Sequence, residues 1–142
     1  MLKASSCQLS AVSSPRIFMQ SFRSLRVWEK AHTLTLDVYK SSELFPRTEQ
    51  YGLTSQIRRA SSSIGANIAE GVCRKGDNEF GRFLQMAMGS ASELEYHLLL
   101  AHDLEMLQSA DFQRLCGEVT EVKRMLASWL QKLKADGRKL TA

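Results

Sequence analysis

Glu93, Tyr96 and His97, with His32 and His102, are the residues through which this 142-residue chain would have to hold a metal. Di-metal helical bundles use Glu-x-x-His, because an i, i+3 spacing aims both ligands into the bundle. Here Tyr96 occupies that position after Glu93, His97 lies one place further on, and His32 and His102 have no carboxylate at the required interval. The histidines therefore read as solvated or hydrogen-bonded groups, and no metal or cofactor is expected. For nucleophilic chemistry the serines are numerous, yet Ser61-Ser62-Ser63 lies within a helical pattern and has no Gly-x-Ser-x-Gly elbow around it. No glycine loop follows a strand to cradle phosphate. Cys7, Cys73 and Cys116 are odd in number, scattered and without Cys-x-x-Cys spacing, which suits a reducing cytoplasm. The expectation is a protein without a catalytic residue.

Two sets of side chains remain that can make specific contacts. Gln56, Arg59, Ser63, Asn67 and Glu70 recur at intervals of three and four, so on a helix they form one polar stripe of groups able to bond one another. Within it the planar fork of Arg59 suits a carboxylate of the same chain or of a neighbouring subunit; the plain alternative is a Ser-rich solvated face. Arg58 is the next residue, but adjacent helical positions point about 100° apart, so the two arginines serve different roles. Arg58, Arg74, Lys75 and Arg82, around the end of the second helix and the start of the third, form the candidate phosphate-facing patch, the alternative being single charges on a solvated surface.

The elements that must position these groups are four amphipathic helices. In the organising stretch, Leu53, Ile57, Ala60, Ile64 and Ile68 make a core stripe beside the polar one. A third line, Arg58, Ser62, Gly65 and Ala69, is small after its first member and admits close approach of another backbone. Three partnered faces on one helix suit a helix inside an assembly. The preceding helix is expected over Leu25–Glu43, with Val27, Ala31, Leu34 and Val38 inward, and Phe45-Pro46 stops it. Thr48 is expected to cap helix two, and Gly71 to end it in the left-handed conformation. Gly76 followed by Asp77 and Glu79 starts helix three, whose inward line is Phe80, Leu84, Ala87, Ala91, Leu94, Leu98 and Ala101. Gly81 and Gly89 inside it each cost roughly 1 kcal/mol relative to Ala, which suggests close helix contact, especially at Gly89-Ser90. Ser109 can cap helix four, with Phe112, Leu115, Val119, Val122, Leu126, Leu130 and Leu133 inward, and Asp136-Gly137 is expected to end it. Trp28, Tyr39, Tyr51, Phe80 and Phe83 read as core or interface aromatics, because base-stacking platforms sit exposed beside basic grooves.

Four such stripes close around one core as an all-α, up-and-down antiparallel four-helix bundle. The domain layout is a Ser-rich leader over 1–21, the bundle over 22–136 and a basic tail over 137–142. Leader residues 1–20 hold seven Ser and Gln residues and no acid, without the amphipathic helix of a transit peptide or the apolar run of a secretory signal. No apolar run approaches the roughly 20 residues a membrane span needs. The net charge of +4 is carried by Lys3, Arg16, Arg23 and Arg26, since fifteen basic and fifteen acidic residues follow them. Nucleic-acid contact must therefore rest on local patches and the leader.

Gln56-Ile57-Arg58-Arg59-Ala60, then Ser63-Ile64, then Asn67-Ile68-Ala69-Glu70-Gly71, resembles the signature of the bacterial four-helix-bundle proteins encoded in intervening sequences of 23S ribosomal RNA genes. The similarity extends from Phe22-Arg23-Ser24-Leu25-Arg26-Val27-Trp28 through Phe45-Pro46 and Tyr51-Gly52-Leu53 to Gly89-Ser90 and Glu93-Leu94. Gly65 and Ala66 stand where family members often carry Pro or Ser. The resemblance implies a homopentameric ring. It also implies a relation to pentameric accessory subunits of the reverse transcriptases of diversity-generating retroelements, which bind nucleic acid through basic ring surfaces. The expected function is thus a non-enzymatic, self-assembling scaffold that binds RNA or DNA as an accessory protein. The alternative is a purely protein-binding or structural adaptor, for example on a reverse transcriptase.

Overall fold

The computed structural model describes residues 21–141, with side chains through 137; the expected leader, apart from Ser21, lies outside the described residues. Four helices follow one another, α1 (Arg26–Ser42), α2 (Leu53–Val72), α3 (Asp77–Asp103) and α4 (Ser109–Thr141), with short 3-10 turns at Phe22–Ser24 and Arg47–Glu49. No strand occurs among the described residues. α2 packs against α1 and α3, and α4 closes the bundle by packing against α3 and α1.

The core follows the helical periodicity. Val27, Ala31, Leu34 and Val38 of α1, Leu53, Ile57, Ala60, Ile64 and Ile68 of α2, Phe80, Leu84, Ala87, Ala91, Leu94, Leu98 and Ala101 of α3, and Leu115, Val119, Val122 and Leu126 of α4 are all buried in one cluster. Phe112, Leu130 and Leu133 pack against it half-buried. Each large aliphatic side chain removed from water this way contributes about 1.5–3 kcal/mol, which makes this cluster the main force closing the bundle.

Three helix ends and one mid-helix glycine depart from expectation. α2 begins at Leu53, so Thr48 does not cap it. The carboxylate of Glu49 takes that role, its Oε2 accepting from the Leu53 N–H at 2.9 Å. Gly71 lies inside α2 and is not its left-handed terminus: a Cβ there would meet Phe83 Cβ at 2.8 Å and Phe80 Cδ1 at 3.0 Å. Glycine is needed at 71 because α3 crosses there, and the left-handed residue that turns the chain is Gly76, with φ of 86°. Gly89 shows the reverse. A Cβ at 89 would meet nothing within 4 Å, so the expected close contact is absent at Gly89 and is made by its neighbour Ser90. Finally, α4 continues through Asp136-Gly137 to Thr141.

Candidate functional site

The polar stripe of α2 lies along its seam with α3, because the two helices run antiparallel and turn at Gly76. Arg59 Nη2 donates to Glu93 Oε1 of α3 at 2.8 Å and to Gln56 Oε1 at 3.1 Å. One pair of turns further on, the Ser63 and Ser90 hydroxyls meet at 2.9 Å. Asn67 Nδ2 donates to the Ser63 carbonyl at 2.8 Å and to its hydroxyl at 3.2 Å. Glu70 pairs with Arg74 at 3.7 Å. Arg59 and Ser63 of the stripe thus bond across to α3, Gln56 and Asn67 bond to its members within α2, Glu70 pairs with Arg74 just beyond the helix, and the carboxylate that Arg59 takes is in its own chain.

At the α2/α3 corner this seam meets three of the four candidate phosphate-binding residues. The guanidinium carbons of Arg74 and Arg82 each lie 4.9 Å from the centroid of the Phe83 ring. Phe83 is only 4% exposed, so the two arginines cover an aromatic ring as well as carrying charge. Arg82 forks onto Glu79, Nε to Oε1 at 3.2 Å and Nη2 to Oε2 at 3.3 Å. That hydrogen bond holds the Glu79 carboxyl below its ordinary range and pushes the Arg82 guanidinium up. Lys75 is exposed and, among the described residues, has no ion pair.

Arg58 does not belong to this corner. It lies fourteen positions before the end of α2, about 20 Å along the helix axis, and it turns to α1. Its Nε donates to Ser42 Oγ at 2.8 Å, its Nη2 to the Tyr39 carbonyl at 3.2 Å, and its guanidinium carbon sits 4.7 Å from the Tyr39 ring centroid. A cation on the carbonyl end of α1 also complements that helix's dipole. The four-residue patch expected from the sequence is thus divided, with one arginine holding α1 and three residues at the corner.

The small line of α2 is covered from inside the chain at Gly65, and the neighbouring Ser61 is bonded from α1. The indole Nε1 of Trp28 lies 3.4 Å from where a Cβ of Gly65 would stand, and Thr35 of α1 donates its hydroxyl to the Ser61 carbonyl at 2.9 Å. The core stripe, Arg59 and Ser63 of the polar stripe, and Arg58 and Gly65 of the third line find partners on other helices of the same protomer, while Ser62 is exposed. The exposed apolar side chains are elsewhere. On α3, Met86 and Tyr96 are 45% and 59% exposed and lie on the helical line Arg82, Met86, Gly89, Glu93, Tyr96. Arg82 joins this line, its Nη1 4.0 Å from Met86 Sδ. Tyr51, read as core or interface, is 92% exposed in the α1–α2 connection.

A second cluster, on the α1/α4 seam, was not legible in the sequence. Arg114 donates Nε to Asp37 Oδ2 at 3.1 Å and Nη2 to Asp37 Oδ1 at 2.9 Å, while its Nη1 reaches Asp111 Oδ1 at 2.6 Å. The bond from Arg114 holds the Asp37 carboxyl below its ordinary value. Glu118 lies beside them, with burial and then Asp37 pushing its carboxyl up to about 7. Only the i, i+3 and i, i+4 spacing of Asp111, Arg114 and Glu118 was a local signal, and it gives no sign of Asp37, 77 positions from Arg114. Among the described residues no group of three or more His, Cys, Asp or Glu side chains is placed to hold a metal ion.

The family described as 23S rRNA-intervening sequence protein matches residues 23–128. The chain belongs to that family. The match spans α1, α2, α3 and most of α4, and therefore both the α2/α3 seam and the α1/α4 cluster of this family member. Among solved structures, a protein of unknown function from the S23 ribosomal protein family of Bacteroides thetaiotaomicron is similar at 26% identity, over 73% of this chain and 97% of that one, with a TM-score of 0.67. No curated protein matches the chain. No helix among the described residues is long and apolar enough to cross a membrane.

Proposed function

We propose that this intervening-sequence family member is a non-enzymatic scaffold that self-assembles through the outer face of α2 and α3. The observation that carries this reading is the exposure of Met86 and Tyr96 on one helical line of α3, around Gly89, whose missing side chain leaves open space. Beside that line run polar groups already paired with one another, Arg59 with Glu93 and Ser63 with Ser90. Such a surface can be covered by a second copy without stranding an unpaired charge, whose burial would oppose association. The resemblance to pentameric bundles makes a homopentameric ring in a cytoplasm the expected form.

Nucleic-acid binding is the second reading, and the α2/α3 corner favours it. Lys75 offers an exposed ammonium with no ion pair among the described residues, and the guanidiniums of Arg74 and Arg82 are positioned on a fixed aromatic ring. Both arginines also hold carboxylates, Glu70 and Glu79, so a phosphate would have to displace those ion pairs. A ring would repeat the corner in every protomer and multiply a weak contact. The adaptor reading, with a reverse transcriptase or other protein as partner, uses the same α3 face and is distinguished by what it captures.

The two readings separate in one set of variants. Tyr96→Glu with Gly89→Trp is expected to dissociate the assembly while leaving helical content intact. Replacing Arg74 and Lys75, which lie off the α3 line, with Ala is expected to leave assembly unchanged while weakening RNA binding and flattening its salt dependence. Unchanged particle size in the first variant contradicts the assembly face, and unchanged RNA affinity in the second contradicts the corner.

A further inference from the structure

Glu118 sits where the charges around it are already spoken for. Its Oε2 is buried with no hydrogen-bond donor in reach among the described residues. Arg114, the nearest guanidinium along α4, is fully engaged by Asp37, Asp111 and the Ser41 hydroxyl at 3.3 Å. From α1, Lys30 is drawn to Glu121 at 3.3 Å, while Arg26 and Glu29 line the open groove of about 550 Å³ in which Glu118 lies. Lys40 of α1 acts on the Asp37 carboxylate.

A buried carboxylate oxygen without a donor, next to a second carboxylate, is costly when ionised. Carrying a proton, the same oxygen becomes a donor, and the neighbouring carboxylate is Asp37, which Arg114 holds against α4 one helical turn before Glu118. Asp37 is then satisfied from both sides, by the Arg114 fork from α4 and by the Glu118 hydroxyl, and α1 is tied to α4 twice.

We propose that the α1/α4 seam is a proton-controlled latch, closed while Glu118 donates a proton to Asp37 and loosened when that proton leaves to solvent. The groove gives water a route to the site. No covalent bond changes; the proton passes from the Glu118 carboxyl to water or buffer. Loss of the proton sets a third carboxylate beside a guanidinium already held by Asp37 and Asp111, and the repulsion falls on the α1/α4 seam, where the other ion pair, Lys30–Glu121, is on the surface and the buried core contacts carry no charge.

The sign follows from linkage. Glu118 is raised from an ordinary value of 4.5 to about 7, so the closed seam binds the proton more tightly than the open one. Opening therefore becomes easier as pH rises between those values, up to about tenfold from about pH 6 to about pH 8. The test is amide hydrogen exchange of the full chain across that range, corrected for the intrinsic rate, reading α1 against α2 as internal reference. Wild type is expected to lose protection selectively in α1 as pH rises. Glu118→Gln, which keeps a neutral donor at the same place, is expected to show a flat α1 profile, and Asp37→Asn is expected to move the response to lower pH. Equal behaviour of α1 and α2 in wild type, or an unaltered pH response in Glu118→Gln, overturns the latch.

Discussion

Arg59 of α2 and Glu93 of α3 meet at 2.8 Å on the outer face of the bundle, an ion pair that links these two helices midway along their seam. The arginine is 62% exposed at its side chain, so water and salt screen the pair. In the dissociated Tyr96→Glu, Gly89→Trp background, a double-mutant cycle with Arg59→Ala and Glu93→Ala is expected to give a coupling of about 0.2–1 kcal/mol in chemical denaturation, and a larger one in the wild-type assembly that covers the pair. A coupling well above that range would mean the pair is buried in solution, as an assembled interface would make it.

Gly71 and Gly89 should respond in opposite directions to the same substitution. Gly71→Ala drives a methyl into Phe83 and Phe80 and is expected to destabilise by about 1–3 kcal/mol. Gly89→Ala enters open space inside a helix and is expected to stabilise the protomer by about 0.4–1 kcal/mol. Urea midpoints at equal slope check both.

On the acid side, Asp37 governs. Its carboxyl is held below the ordinary 3.8 by Arg114, so its contribution is complete above that value and is lost as pH falls through the lower folded one. Asp37→Asn is expected to remove this part of the acid transition while leaving helical content at neutral pH unchanged. The midpoint of acid unfolding followed by circular dichroism reports it.

Arg74 and Arg82 are expected to matter for packing as well as for charge. Arg74→Ala with Arg82→Ala uncovers Phe83, whereas the Lys pair keeps the charges and loses the planar stacking. If the corner binds phosphate through charge alone, the Lys pair should retain RNA affinity while both variants lower the thermal midpoint.

The contrast between α2 and the α1/α4 seam shows what the sequence carries. Leu53, Ile57, Ala60, Ile64 and Ile68 are inward because burial at a 3.6-residue period is a local rule, and the polar stripe beside them follows from the same period. Gly71 was misread because a glycine near a helix end and a glycine under a crossing helix look alike until Phe80 and Phe83 are placed. Arg58 was grouped with Arg74, Lys75 and Arg82 by charge and proximity along the chain, whereas the end of α1, built from residues 16 and 19 positions earlier, takes it. Asp37 and Arg114 meet across 77 positions, and only the closing of the bundle brings them together.

The central claim is self-assembly through α3, and light scattering on the size-separated protein, with and without a mixed RNA at low and moderate salt, tests it most directly. A particle of several protomers, five on the ring expectation, that falls to a monomer on Tyr96→Glu with Gly89→Trp is the predicted result. A shift with RNA at low salt that disappears as salt rises would add the corner's role. A wild-type protein that elutes as a monomer at all concentrations would contradict the account.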